Sequence, residues 1–200
     1  SHNEQDSNQG CQPLNNDEGL WHTNRAMTLA FAQEIAAHSG AYDLQSDYVW
    51  LKRMAEWETE EERADTNDEN LFAYLVETYP EQIAVDAHNH DSIENYSDVA
   101  WRLEQIGVPD TTVVGGYLWY PESDADWERF REPMDALVHD HEWTGNILWG
   151  AATRDHQGPD SEASGVWHPE SAAPFHTDDP HATLLAIGQF KDPKYDTGAG

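Results

Sequence analysis

Between residues 42 and 149, short runs of period two alternate with longer runs of period 3.6, and this alternation constrains the fold more than any other feature. Strands are expected at 42–45, Ile83–Ala87, 112–119 and 146–149. Amphipathic helices are expected between them. One is capped by Ser46 or Asp47 and turns Trp50, Met54 and Trp57 inward. The next opens on a capping box of Thr66 and Glu69 and buries Leu71, Phe72, Leu75, Val76 and Tyr79. Another starts near Ser97 with Ala100, Leu103 and Ile106 inward. A last helix covers 124–138, with Pro133 kinking or restarting it. Ahead of the first strand, a helix over 24–38 is expected to bury Met27, Phe31 and Ile35, and the acidic run 58–62 reads as a solvated helix end plus loop. Strand, helix, strand in this order with short connections builds a parallel sheet with crossover helices.

No Gly-rich dinucleotide turn follows any of these strands, which favours a parallel-stranded (β/α) barrel-like domain over an open doubly wound sheet. A full barrel of this kind takes about 250 residues. The 200 residues here therefore point to an incomplete or deformed one. Residues 1–20 read as a polar N-terminal loop, and residues 21–200 as a single α/β domain. After residue 150 the chain is loop-rich, with short strands at Gly165–Trp167 and 184–187.

Charge narrows the partners. With 39 acids against 10 Lys and Arg, the formal net charge is −29. The acids are spread evenly: residues 1–100 hold 21 acids and 4 bases, residues 101–200 hold 18 and 6. Phosphate-backbone binding needs a basic patch, so nucleic acid is a poor partner, and an anionic membrane surface is poor for the same reason. No apolar run approaches the ~20 residues that span a bilayer. The lone Cys11 forbids an internal disulfide and a cysteine-rich zinc site. Even acidity with three lysines fits a protein of a salt-loving organism, and an extracellular setting or a halophile's cytoplasm both suit it. Nine tryptophans argue for a folded core in spite of the charge.

The chemistry concentrates at Asp86-Ala87-His88-Asn89-His90-Asp91, where the strand Ile83–Ala87 ends. Side chains alternate along a strand, so Asp86, His88 and His90 share a face. A carboxylate and two imidazoles at the carboxyl end of a parallel strand suit a divalent metal, zinc first. Ligands collect at that end of parallel α/β sheets. Two surface histidines in a polar loop would read the same way. Asp86, Asp91 and Glu94 are the candidate bases, or partners that orient an imidazole. The third ligand is expected from His156, then His168, then His22; His139 and His141 read as surface residues at a helix end. Trp119, Trp149 and Trp167, with Tyr117 nearby, lie at strand ends and offer faces for stacking on sugar rings; Arg154 and His168 are further candidates for substrate contact. For each tryptophan the plainer reading is core packing.

The segment from Ile83 to Trp119, IAVDAHNHDSIENYSDVAWRLEQIGVPDTTVVGGYLW, resembles uncharacterised members of the polysaccharide-deacetylase-like superfamily, and the stretches 127–133 and 147–149 follow the same pattern. That resemblance implies a deformed (β/α) barrel. It also implies a metal-dependent hydrolase for carbohydrate or amide substrates, with His88 and His90 as ligands. The spacing departs from that family's: its histidines are separated by three residues, here by one, and no Asp-Asp pair ends a first strand. Asp-Ala-His-Asn-His is also similar to the first-strand motif of amidohydrolases, although here two helices precede it. The rival from another class is a carbohydrate-binding barrel that keeps the aromatic cleft without catalysis.

Overall fold

The computed structural model describes residues 2–3, 17–89, 93–109, 111–115, 118–119, 133–153, 165–168, 178–181 and 184–188. Its elements in chain order are β1 (His2–Asn3), α1 (Glu18–Ala37), β2 (Tyr42–Ser46), α2 (Tyr48–Trp57), α3 (Glu60–Ala64), α4 (Leu71–Thr78), β3 (Ile83–Ala87) and α5 (Tyr96–Gln105). There follow β4 (Val113–Gly115), β5 (Leu118–Trp119), β6 (Met134–Asp135), β7 (Glu142–Trp143), β8 (Ile147–Thr153), β9 (Gly165–Trp167) and β10 (Leu185–Gly188). The chain is α/β with mostly parallel strands. It forms two compact units, Ser1–Thr111 with Asp135–His141, and Thr112–Met134 with Glu142–Gly200.

In the first unit β1, β2 and β3 run parallel, with Gln45 opposite Asp86 and Ser46 opposite Ala87. Both α4 and α5 pack on β3. Every described helix opens on a side-chain cap, which satisfies N–H groups that have no partner within the helix. Asp17 accepts from Leu20 N–H, Asp47 from Trp50 N–H and Asn70 from Ala73 N–H, at 2.8 to 3.0 Å. Thr59 with Glu62, and Asn95 with Asp98, form capping boxes. The core is aromatic at its centre: Trp50 stacks on Phe72 at 4.9 Å, and Trp21 lies 5.6 Å from Trp50.

One buried ion pair ties the helices together. Arg25 Nε donates to Glu58 Oε1 at 2.9 Å, and its Nη2 donates to the Glu62 carbonyl at 2.8 Å and to Thr66 Oγ1 at 3.3 Å. The same Glu58 oxygen accepts the Leu71 N–H at 3.0 Å, at the start of α4. This arrangement corrects three expectations. The run 58–62 is no solvated end, because Glu58 is buried and α3 begins at Glu60. Thr66 serves Arg25 instead of a capping box, and Asn70 caps α4. The buried face of α1 is Trp21, Arg25, Thr28 and Ala32, while Met27 is 65% exposed and Phe31 51%. A polar pair thus rotates the helix away from the face its apolar spacing suggests. Helix α1 and strand β1 also reach into the segment 1–20 that read as a loop.

Residues 135–141 dock against α5 and the start of α2. Asp98 accepts N–H groups from Leu137 and Val138 at 2.9 and 3.0 Å while also accepting from Asn95 N–H at its own helix start. His139 stacks on Trp101 with centroids 3.5 Å apart, and its Nε2 lies 2.8 Å from the Tyr48 hydroxyl, which also accepts from Arg102. His139 and His141 are therefore fastened here, and the described end of the expected last helix, from Pro133 on, is strand and bends.

In the second unit β4, β8 and β10 are parallel, β5 adds to β8 in parallel, and β9 pairs antiparallel with β10. Val114, Leu148 and Ala186 are buried on the three parallel strands. Gly145 admits a close approach: a Cβ there would meet Val114 and Trp143 side chains at 2.8 to 2.9 Å.

Removing Glu58 leaves Arg25 charged and buried, an imbalance worth about 3–5 kcal/mol. Glu58→Ala is expected to lose that much in urea unfolding, whereas Met27→Ser is expected to shift stability by less than ~0.5 kcal/mol. The opposite ranking would contradict the face assigned to α1.

Candidate functional site

Parallel pairing of β2 and β3 brings the polar residues of the two strands together at their carboxyl ends. On β2, Asp43 and Gln45 alternate with buried Tyr42 and Leu44. On β3, Asp86 sits opposite Gln45 and Ala84 opposite Asp43. Cross-strand partners share a face, so the Asp43, Gln45 and Asp86 side chains meet. Asp43 lies close enough to Asp86 to act on its ionisation. Gln45 Nε2 donates to Asp43 Oδ2 at 2.8 Å, and Thr111 Oγ1 donates to Asp86 Oδ1 at 2.9 Å. His88 follows two residues after Asp86 and is fully buried; its N–H donates to the Ser46 carbonyl at 3.1 Å, carrying the β2–β3 ladder past the strand end.

Asp86 is 7% exposed. Burial, and then the nearby Asp43, push its carboxyl up to about 8 against the ordinary 3.8, while the Thr111 hydrogen bond pulls the other way. Two neighbouring carboxyls cannot both ionise cheaply, so the pair holds a proton through neutral pH. A carboxyl that stays protonated near neutrality can donate to a leaving group and, once deprotonated, accept from water.

The remaining predicted residues divide clearly. Glu94 lies in the turn into α5, where its carbonyl accepts from Asn89 Nδ2 at 3.1 Å. His22 is bound to Glu62 at 2.8 Å. In the second unit, Trp119 on β5 is in register with Thr153, and Trp149 on β8 with Gly115 and Ile187. Trp167 on β9 pairs with Ala186, and the next residue, His168, donates its N–H to Asp178 at 2.9 Å. His90, Asp91, Tyr117, Arg154 and His156 lie outside the described residues. Among the described residues no three His, Cys, Asp or Glu side chains gather closely enough to hold a metal ion, so a His/Asp zinc set is not assembled from them. None of the predicted residues lines the groove of about 620 Å³ formed by Arg63, Asn70, Glu77, Gly107 and neighbours. No described helix is long and apolar enough to cross a membrane.

Asp43, Gln45 and Thr111 were not singled out from the sequence. For Asp43 and Gln45 the signal is parity, polar residues at alternate positions of β2, whereas Thr111 lies outside both strands. No protein-family model, curated protein or solved structure matches this chain.

The pair has a thermodynamic signature. Asp86 keeps in the fold a proton that the unfolded chain releases near pH 4, so its contribution is complete below about pH 4 and is lost as the pH rises toward 8. Unfolding midpoints in about 1 M NaCl, which screens the acidic surface, are expected to fall between pH 6 and 8, where ordinary carboxylates no longer titrate. Asp86→Asn is expected to flatten that slope. An equal slope in the variant would show that another group sets it.

Proposed function

We propose that this chain is a hydrolase of the polysaccharide-deacetylase type, barrel-like in fold and dependent on a divalent metal. Its substrate is a carbohydrate or an amide, cleaved at the carboxyl ends of β2 and β3. The observation that carries the reading is the buried Asp86 beside half-buried Asp43, followed two residues later by the buried His88, at the end of a parallel strand.

Each side chain has a defined task in this reading. In its ionised form Asp86 accepts a proton from the attacking water, and the resulting carboxyl, which keeps its proton near neutral pH, then delivers it to the leaving group as the tetrahedral intermediate collapses. Asp43 helps to hold that proton by lying close to Asp86, and the Gln45 amide fixes the orientation of Asp43. Thr111 fixes Asp86 in the same way. His88 is the ligand contributed from the described residues, with His90 and His156 as the proposed completion of the set. A divalent ion supplies Lewis-acid polarisation of the scissile carbonyl. Trp119, Trp149, Trp167 and Tyr117 are the proposed stacking surfaces for sugar rings, with Arg154 and His168 as polar contacts. Asp91 and Glu94 are the alternative bases.

The test is turnover of acetylated oligosaccharides and N-acyl amides, measured as released acetate or amine, before and after chelation. Activity is expected to disappear with chelator and return with added divalent ion. Asp86→Asn is expected to lower kcat by about 10²–10⁴-fold. Unchanged turnover in a folded Asp86→Asn variant overturns the assignment. Saccharide binding without turnover, indifferent to chelator, would support the carbohydrate-binding alternative instead.

A further inference from the structure

The outer face of α1 departs from the composition of the chain. About one residue in five is Asp or Glu, yet residues 19–33 contain neither, the longest such run in the sequence. On that helix Leu20, Met27 and Phe31 are 37, 65 and 51% exposed. Spacings of seven and four residues set them in one stripe along the helix. Glu34, the acid nearest the stripe in sequence after Phe31, lies 2.9 Å from His38 Nε2. Phe31 leans edge-on against the buried Tyr42, with centroids 5.1 Å apart, so its ring is held while half of it stays in water. A side chain already held loses little freedom when a partner covers it.

Charge decides what that partner is. At a net charge of −29 with the acids spread evenly, two copies of this chain meeting elsewhere set carboxylates against carboxylates. The acid-free stripe joins the least repulsion to an apolar gain. We propose that the Leu20, Met27 and Phe31 stripe of α1 is a self-association surface, on which two copies pair as antiparallel helices about a two-fold axis beside Leu29. That register sets Met27 against the partner's Phe31, a sulfur on an aromatic ring, and the symmetry repeats the contact. It sets Glu34 against the partner's Asn24 and Leu20 against the partner's His38, so no acid faces an acid. Parallel pairing would oppose the two Glu34 carboxylates. A helix of 20 residues is about 30 Å long. A stripe ~10 Å wide then covers about 300 Å² per copy, under the ~800 Å² per partner of a stable interface, so the pairing is reversible and concentration-dependent. Salt strengthens it, because the net charge is screened while the apolar contact persists. The inference is independent of the hydrolase reading.

Sedimentation velocity of the full chain over a concentration series, at about 0.2 and 2 M NaCl, tests it. A monomer–dimer equilibrium is expected, with an association constant about tenfold or more higher at the higher salt. Met27→Glu and Phe31→Glu are each expected to weaken it by about tenfold or more, because they place like charges in the contact. Circular dichroism checks folding; Met27→Glu decides the matter if Phe31→Glu, which leans on Tyr42, does not fold. Nitroxide labels at Ala30→Cys and Ala37→Cys, each with Cys11→Ser, are expected to give a shorter distance between copies at position 30 than at 37. Equal distances would overturn the antiparallel pairing. A chain monomeric at both salt concentrations would overturn the surface. So would a dimer indifferent to both Glu variants, or one that dissociates as salt rises. Adsorption of the monomer to phosphatidylcholine vesicles, lost in Met27→Glu and without any dimer, would assign the stripe to a lipid surface and overturn the proposal.

Discussion

The first unit depends on a charge buried where charges are costly. Arg25 and Glu58 have both left water, and each is tolerated only because the other and several backbone groups surround it. Glu58 lies just past the end of α2 and serves the first N–H of α4, while Arg25 reaches from α1 to the Glu62 carbonyl and to Thr66. Four helices are thus registered by one pair of side chains. Helix α2 begins at Tyr48, immediately after β2, so the same pair fixes the element that leaves the polar strand ends.

Those strand ends invert the chemistry of the surface. Across the chain, −29 of charge is tolerable because exposed carboxylates are hydrated and screened. Asp43 and Asp86 share the residue type but not the environment. Burial and a neighbouring carboxyl turn Asp86 from a carboxylate of ordinary acidity into a group that keeps its proton past neutrality. The acids that matter most are therefore the few held out of solvent by β2 and β3.

How far this was legible in the sequence follows from which interactions are local. β3 and its Asp-x-His ending were readable because strand periodicity and side-chain alternation are properties of consecutive residues. The strand boundaries Ile83–Ala87 and Gly165–Trp167 agree for that reason. The partner of Asp86 was not readable. Asp43 lies 43 residues earlier, and only the β2–β3 register, a product of folding, places it there. Polar burial misled in the same way. Met27, Phe31 and Ile35 have helical spacing, yet a salt bridge to Glu58 turns Arg25 inward and leaves Met27 and Phe31 outside. The acidic run 58–62 looks uniform, but one of its glutamates is core. Whether a charge is buried depends on a distant partner, and composition is silent on distance.

Asp98 has a consequence for how the first unit opens. A single carboxylate receives the N–H of Asn95 at the start of α5 and those of Leu137 and Val138 some forty residues on. Neither the first turn of α5 nor the segment 135–141 can release that anion without leaving the other to hold it alone. The two pieces are distant in sequence but share one fastening, so they behave as one cooperative unit whose exchange with solvent is a joint event rather than two independent ones.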